Sequence, residues 1–178
     1  LCEYRERIRI ISRERINDEL NKIMLSPIPS KGFIELDRCG LLEIIFPQLT
    51  AMQGVESRNG YSHKEMFYHT LEVLDNVAKN TNDLWLRWAA LLHDIGKPAT
   101  FTTDETGRGH FYGHAQKSAE MADAILLRLK APTALRQQVV QLIDLHMTKL
   151  PPEKKVVRRW LSRLGQQTLE QLFILQQA

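Results

Sequence analysis

The chain of 178 residues is long enough to bury a hydrophobic core, and its 43% hydrophobic and 25% charged residues are typical of a water-soluble globular protein. The formal net charge of +3 is too small to indicate nucleic-acid binding by itself. No run approaches the roughly 20 apolar residues that cross a bilayer. Cys2 and Cys39 lack CxxC spacing and the density of a secreted disulfide scaffold. We therefore expect a cytoplasmic protein with reduced cysteines and no membrane partner.

Both ends of the sequence are typical of a piece of a longer protein. The first residue is Leu1 instead of an initiator Met, and charged residues follow where a signal peptide would need apolar ones. The helical pattern of residues 166–178 continues to the last residue. We therefore interpret the chain as part of a larger protein.

Helical periodicity dominates the first half of the chain. A ragged apolar stripe among Arg and Glu residues predicts a helix from Tyr4 to about Leu25, which the segment Ser-Pro-Ile-Pro-Ser at 26–30 ends. Two short helices are predicted over 32–39 and 41–46. The polar, Gly-containing segment 50–63 predicts a loop and a boundary between two units.

The second half combines further helices with one short β segment. The helix predicted over 84–94 is apolar nearly all round, as is typical of the middle of a core, and Gly96 and Pro98 end it. Two β-prone pieces around the turn 104–109 predict a small hairpin. The other predicted helices cover 64–79, 115–130, 133–147, 153–164 and 166–178. The sequence therefore predicts an all-α helical bundle with a small β-hairpin insertion.

Three of these helices carry metal-ligating side chains at apolar positions. His93 and Asp94 end the apolar helix, Asp144 falls among apolar residues at helical spacing, and His69 lies on the inner half of its helix. For one such residue alone, a hydrogen-bonded core His or a capping Asp is the commoner explanation. Four together favour a metal site, because a buried carboxylate is costly unless it is paired or binds a metal. This mixed nitrogen and oxygen set suits Mn, Fe, Co, Ni or Zn, and Mg is a further candidate.

The pattern His69…His93-Asp94…Asp144 resembles the signature of the HD superfamily of metal-dependent phosphohydrolases. The resemblance covers about residues 61–147. It includes the end of the predicted hairpin, where family members often carry a further His. It implies an HD-domain helical bundle in which these four residues bind a divalent metal. It also implies an activity on phosphate esters or nucleotides.

The N-terminal third carries a second resemblance. Residues 11–23 and 36–47 resemble the segments that follow the catalytic head in bacterial CCA-adding tRNA nucleotidyltransferases and poly(A) polymerases, some of which continue into an HD domain. The resemblance implies a helical neck segment of RNA-binding type at 1–49, an HD metal-binding domain at 50–150 and the start of a C-terminal helical tail at 151–178.

The catalytic head of that family uses a Gly-Ser pair and an Asp-x-Asp metal dyad. This sequence has no Gly-Ser dipeptide and no two Asp residues two positions apart. The piece therefore cannot add nucleotides, and we expect its own chemistry to come from the HD residues. The resemblance implies tRNA or another RNA as a partner through the parent enzyme.

Metal-assisted hydrolysis, the chemistry that the candidate metal site suggests, gives roles to three residues. Asp94 is expected to orient or deprotonate a water molecule. Lys97 is expected to neutralise phosphate, although a solvated lysine at a helix C-terminus is an equally good explanation. His114 begins a helix whose N-terminus suits an anion, and we expect it to act as an acid or phosphate contact. His146 shares an apolar stripe, so a core or supporting role is expected.

Lys154, Lys155, Arg158 and Arg159 form a basic patch beside Trp160, and such a patch neutralises RNA phosphates. A solvated helix face is the alternative explanation. Three functions are therefore considered: an HD phosphohydrolase within a tRNA nucleotidyltransferase or poly(A) polymerase, a non-catalytic tRNA-binding or structural module of the same enzyme, and a stand-alone hydrolase of signalling nucleotides. The resemblance of the N-terminal third disfavours the last.

Overall fold

A computed structural model describes residues 2–53 and 63–178 and is predominantly helical. Its N-terminal part contains only helical segments and turns. These segments are a 3₁₀ helix at Cys2–Ile10, α1 (Arg13–Met24), α2 (Pro29–Arg38), α3 (Leu41–Ile45), α4 (Pro47–Thr50) and a 3₁₀ turn at Ala51–Gln53. Most of the predicted loop 50–63 lies outside the described residues.

The second part holds the longer helices and a single pair of strands among the described residues. Its elements are α5 (His63–Asn80), α6 (Leu84–Leu92), α7 (Lys97–Thr100), β1 (Thr102–Thr103), β2 (Gly109–His110), α8 (His114–Arg128), α9 (Thr133–Leu145), α10 (Lys154–Leu164) and α11 (Gln166–Gln177). The predicted all-α bundle with a small hairpin is confirmed. None of the described helices is long and apolar enough to cross a bilayer.

The long helix predicted from Tyr4 is interrupted, contrary to expectation. The chain leaves the 3₁₀ helix after Ile10, and α1 begins at Arg13. Ser12 has an extended backbone, and its hydroxyl accepts a hydrogen bond from the Arg15 N–H at 3.3 Å. Serine is a strong N-cap residue, so it starts a new helix here instead of continuing the old one.

Helix α6 lies at the centre of the core, as its all-round apolar pattern predicts. Trp88 and the run of residues 89–92 are fully buried. Helices α5 and α9 pack against α6, and α8 packs against α9. The helix ends at Leu92, so His93 and Asp94 lie on the turn that follows it rather than in its last turn.

One charged residue, Arg87, is buried in the middle of α6, and its side chain joins the two parts of the chain. Its guanidinium donates hydrogen bonds to the carbonyl oxygens of Met24 at 2.6 Å and Ser26 at 2.9 Å, just where α1 ends. Further donations reach the carbonyls of Ala78 and Thr81. All these acceptors are main-chain atoms. The Arg87 side chain therefore links the N-terminal part of the chain to helices α5 and α6.

Two more pairs of residues hold the N-terminal part against helices α5 and α6 through hydrogen bonds. The Ser30 N–H and hydroxyl donate to the two carboxylate oxygens of Asp75 at 3.0 and 2.6 Å. The Trp88 indole N–H donates to the Asn21 side chain at 2.8 Å. Buried residues from both parts form one continuous hydrophobic cluster. The neck is therefore packed onto the bundle as part of the same core.

The hairpin between α7 and α8 is short and organised by Asp104. Strands β1 and β2 pair antiparallel with Thr102 opposite His110. One carboxylate oxygen of Asp104 accepts from the Thr106 N–H and hydroxyl and from the Arg108 N–H, and these bonds shape the turn. The other oxygen lies 2.8 Å from the His110 ring. This local network places the hairpin directly before His114.

Candidate metal centre

The turn after α6 places His93 and Asp94 in the interior. His93 is 7% exposed and Asp94 only 3% exposed. The Lys97 N–H closes the turn on the Asp94 carbonyl at 3.0 Å, and α7 begins at once. The two ionisable side chains are therefore fixed between a core helix and the first turn of α8.

Gly96 allows this turn to approach α8 closely. A Cβ atom at Gly96 would lie 2.6 Å from the Ser118 nitrogen and 2.9 Å from the His114 carbonyl oxygen. The Gly96 N–H donates to the Ser118 hydroxyl at 2.9 Å. Only glycine fits this contact. Gly96, two residues after Asp94, thus allows the turn to pack against α8, the helix that carries His114.

Three histidines share one hydrogen-bonding arrangement, in which Nδ1 lies near the carbonyl oxygen three residues earlier. The distances are 2.7 Å from His93 to Ala90, 2.9 Å from His114 to Phe111 and 2.6 Å from His146 to Ile143. A carbonyl can only accept, so each Nδ1 is the donor. In the neutral ring, Nε2 then carries a lone pair, which is the tautomer that a metal-binding His needs.

The three Nε2 atoms converge on Asp94. His93 Nε2 lies 3.2 Å from Oδ2 of Asp94, while His114 Nε2 and His146 Nε2 lie 3.5 and 3.9 Å from Oδ1. The Nε2 atoms of His114 and His146 are buried and have no hydrogen-bond partner among the described residues. Buried polar atoms are nearly always hydrogen-bonded, so these two nitrogens beside one carboxylate could bind a metal ion.

The protonation state of His146 supports the interpretation of the cluster as a metal site. Burial lowers the pKa of His146 to about 4, although the hydrogen bond to the Ile143 carbonyl opposes the change. At neutral pH the ring is therefore uncharged, and its Nε2 lone pair faces the Asp94 carboxylate. Two acceptors directed at each other repel unless a cation lies between them.

Lys97 supports Asp94 from the other side. Its Nζ donates to Oδ2 of Asp94 at 2.6 Å and lies 5.7 Å from the centre of the Phe111 ring. Burial would raise the pKa of the Asp94 carboxyl, but a protonated His93 ring and the Lys97 ammonium hold that pKa well below its usual range. Asp94 is therefore ionised at neutral pH, with Oδ1 directed at His114 and His146.

His69 lies at the open edge of the cluster. It is exposed, which differs from the predicted inward position, and its ring centre lies 6.3 Å from that of His93. One ligand atom each from His69, His93 and Asp94 lie within 4.8 Å of one another, as do those of Asp94, His114 and His146. The two groups share Asp94, so four histidines surround this carboxylate.

The inward orientation predicted for Asp144 is wrong, because its side chain is exposed. The buried face of α9 carries Leu135, Val139 and Leu142, and continuing that spacing of three and four residues leads to His146. Asp144 is two residues from Leu142 and therefore projects from the opposite side. It belongs to neither ligand group. The structure thus brings His146 to Asp94, where the sequence favoured a supporting role.

The donor set fits a divalent transition metal. Imidazole nitrogens and a carboxylate are the ligands that Mn, Fe, Co, Ni and Zn take in proteins. The three Nδ1 atoms are already held by carbonyls, which is the usual second set of contacts around metal-bound histidines. A cavity of about 430 Å³ opens beside the cluster, with His69, His93 and His146 in its wall. A ligand can therefore reach the cluster from solvent.

The predicted basic patch lies on α10, away from these residues in the sequence. Lys154, Lys155, Arg158 and Arg159 are all exposed. The Arg163 guanidinium stacks over the Trp160 ring at 5.2 Å. Helix α10 packs against α11 and has no fully buried residue. Its basic face is therefore open to a partner.

The fold and the histidine–aspartate cluster define an HD domain. The sequence profile of the family described as "HD domain" matches residues 66–177, and the chain belongs to this family. A second profile, described as "Probable RNA and SrmB- binding site of polymerase A", matches residues 1–53. The order neck then HD domain is the one predicted from the two resemblances.

The chain is similar to tRNA nucleotidyltransferases and to a Multifunctional CCA protein. The chain is 40% identical over 153 residues to the A-adding tRNA nucleotidyltransferase of Deinococcus radiodurans, and the match covers 84% of this chain and 35% of that protein. It is 38% identical over 161 residues to the CC-adding tRNA nucleotidyltransferase of Thermus thermophilus, covering 85% and 36%. The Multifunctional CCA protein of Aromatoleum aromaticum is 35% identical over 134 residues, covering 75% and 32%. The chain thus spans about a third of the length of these relatives, and the predicted resemblance is confirmed.

Proposed function

We propose that the chain is the HD part of a tRNA nucleotidyltransferase or poly(A) polymerase and that its Asp94 cluster hydrolyses phosphate esters of RNA ends or nucleotides with a divalent metal. The observation that carries the proposal is the convergence of three Nε2 atoms on one buried carboxylate, two of them without a hydrogen bond to any described residue. A metal ion would satisfy these nitrogens. The matches to nucleotidyltransferases support the RNA context.

The residues divide the chemistry between them. A divalent cation held by Asp94 and the histidines would act as a Lewis acid toward a phosphate ester. Lys97 fixes Asp94 through its 2.6 Å hydrogen bond and adds positive charge where a phosphate would bind. His114 lies at the N-terminus of α8, an end that favours an anion. The apolar helix α6 shields the cluster and strengthens each of these interactions.

The proposal is tested by measuring phosphate release from ribose 5-phosphate and ring opening of a 2′,3′-cyclic nucleotide. Each assay uses the chain loaded with Mn, Co, Ni, Zn or Mg in turn. We expect activity with at least one metal, loss of activity in the presence of EDTA, and loss in the Asp94→Asn variant. Asp123→Asn is the matched control, because that aspartate pairs with Arg136 outside the cluster. Failure of both substrates with every metal would contradict the proposal.

The exposed basic face of α10 favours a second candidate function, a non-catalytic module that binds tRNA. Four exposed cations within six residues, next to a stacked Arg163–Trp160 pair, form a surface that suits an RNA backbone. The binding surface would be independent of the metal cluster. Both functions can therefore reside in the same chain.

This second candidate is tested by tRNA binding at several salt concentrations. Changing Lys154, Lys155, Arg158 and Arg159 to Ala should lower the affinity and reduce the slope of log K against log salt by up to about 3–4. A matched comparison is Lys154→Ala/Lys155→Ala against Lys79→Ala/Lys117→Ala, since all four lysines are exposed. Equal effects of the two pairs would exclude α10 as the RNA-binding surface.

A further inference from the structure

Tyr112 places an aromatic ring in solvent at the end of the hairpin. Its side chain is 76% exposed. One of its faces is covered, because the His110 ring stacks on it with 5.0 Å between ring centres and 14° between planes. The exposure shows that the remaining ring surface is open. The Tyr112 ring is therefore supported by His110 on one face and open to solvent on the other.

The hairpin holds His110 in place and thereby orders Tyr112. His110 Nε2 lies 2.8 Å from Oδ2 of Asp104. Oδ1 of Asp104 accepts three hydrogen bonds from Thr106 and Arg108, all between 2.6 and 3.0 Å. The turn therefore holds the Asp104 carboxylate, Asp104 holds the His110 ring, and the His110 ring supports the Tyr112 ring. A ring that is already positioned loses little conformational freedom when a ligand stacks on it.

The same segment is joined to the metal cluster. Tyr112 lies two residues before His114, and two residues span at most about 7 Å. The preceding carbonyl, that of Phe111, accepts the hydrogen bond from His114 Nδ1, and Lys97 Nζ lies 5.7 Å from the Phe111 ring centre. Phe111 also packs against Phe101, with 5.4 Å between ring centres. The backbone of Tyr112 is therefore close to the residues that would bind a phosphate, and the exposed ring extends from this segment.

We propose that Tyr112, backed by His110, is a stacking platform for a nucleobase of the ligand whose phosphate binds at the Asp94 cluster. The inference rests on the proposed function and adds a recognition element to it. Nucleobases stack on aromatic side chains because both have flat, polarisable faces, and this interaction tolerates different bases. The platform therefore favours nucleotides and RNA ends over sugar phosphates without committing the site to one base.

The experiment compares the binding of adenosine 5′-monophosphate and ribose 5-phosphate by calorimetry, with and without a bound divalent metal. The two ligands share the phosphate and ribose and differ in the base. We expect Tyr112→Ala to weaken binding of the nucleotide by about 5- to 150-fold, the range produced by loss of one stacking ring. Binding of ribose 5-phosphate should change less than about twofold, and Tyr112→Phe should retain the nucleotide affinity because stacking does not need the hydroxyl.

Tyr4→Ala provides the matched control, since Tyr4 is 64% exposed and lies in the N-terminal 3₁₀ helix. We expect it to leave both affinities unchanged. His110→Ala should weaken nucleotide binding less than Tyr112→Ala does, because the ring remains but loses its support. Circular dichroism of each variant verifies folding.

The stacking proposal is contradicted if the nucleotide binds no more tightly than ribose 5-phosphate, or if Tyr112→Ala weakens the binding of both ligands equally. It is also overturned if the nucleotide does not bind at all. Metal content and hydrolysis of ribose 5-phosphate, measured on the same samples, report on the proposed function separately. Active, metal-loaded protein that ignores the base would leave the proposed function standing and remove the platform.

Discussion

Two buried charged residues at nearby positions in the chain have opposite surroundings. Arg87, which is 1% exposed, donates to carbonyl oxygens and one amide oxygen on all sides of its guanidinium. Asp94 faces three imidazoles, and two of their nitrogens have no hydrogen-bond partner in the described part of the chain. The guanidinium of Arg87 is surrounded by acceptors, whereas the Asp94 cluster could hold a cation. Arg87 therefore stabilises the fold, and we propose that Asp94 binds a ligand.

Arg87→Met should produce the largest effect on stability. The substitution removes the Arg87 donor from the carbonyl oxygens of Met24, Ala78 and Thr81 and weakens the attachment of α1 to α6. We expect the free energy of unfolding in urea to fall by about 3–5 kcal/mol, as for other buried charged residues whose partners are left unpaired. Arg87→Lys keeps the charge without the planar fork and should also destabilise. A change below about 1 kcal/mol would show that the Arg87 hydrogen bonds are not structural.

Asp94→Asn should have a different profile, with a loss of stability because Lys97 and His93 lose their anionic partner, and with a much larger loss of metal affinity. The neutral amide cannot replace a carboxylate ligand. We expect metal affinity to fall by at least about 100-fold, because loss of a residue that only supports a ligand already lowers metal affinity by about 10- to 100-fold. Metal titration by calorimetry measures the affinity, and urea unfolding in EDTA measures stability. If the variant keeps its metal affinity, the cluster does not hold the metal through Asp94.

Gly96→Ala tests the contact that joins the two halves of the cluster. The new methyl group would lie 2.6 Å from the Ser118 nitrogen, so the turn must move away from α8 and from His114. Overpacking of this kind costs about 1–3 kcal/mol in unfolding free energy. Metal affinity should fall as well, because Asp94 and His114 separate. Ser118→Ala, which removes the hydrogen bond without a clash, should have the smaller effect on both measurements.

Asp144→Asn should have the smallest effect of these substitutions. The carboxylate is exposed and outside both ligand groups, so we expect a stability change within about 0.5 kcal/mol and unchanged metal affinity. The same calorimetric titration used for Asp94→Asn measures it. A tenfold or greater loss of metal affinity would restore the ligand role that the sequence pattern assigns to Asp144.

Local patterns in the sequence predicted the parts of the fold that depend on local forces. The apolar run of α6, the terminating Gly96 and the turn chemistry around Asp104 correctly predicted a core helix, its end and the hairpin. The capping serine at Ser12 carried a signal for a new helix that the apolar stripe concealed. Helical periodicity alone therefore overestimates the length of such a segment.

Tertiary contacts account for the rest. The acceptors of Arg87 are main-chain carbonyls from two distant segments, which leave no residue-type signal in the sequence. The choice between Asp144 and His146 depends on which face of α9 meets α6, since both residues lie near the helix end. The stripe through Val139 and Leu142 carried that information, and weighting it above the apolar neighbours of Asp144 would have indicated His146.

Anomalous X-ray diffraction from crystals of the chain soaked with Zn would locate a metal ion relative to Asp94. We expect a strong peak bonded to Asp94 and to the Nε2 atoms of at least two histidines, at about 2.0–2.2 Å from each ligand atom. The same crystals of Asp94→Asn should lose the peak. A wild-type crystal that binds zinc elsewhere, or shows no peak beside Asp94, would contradict the conclusion that the unpaired imidazoles are metal ligands.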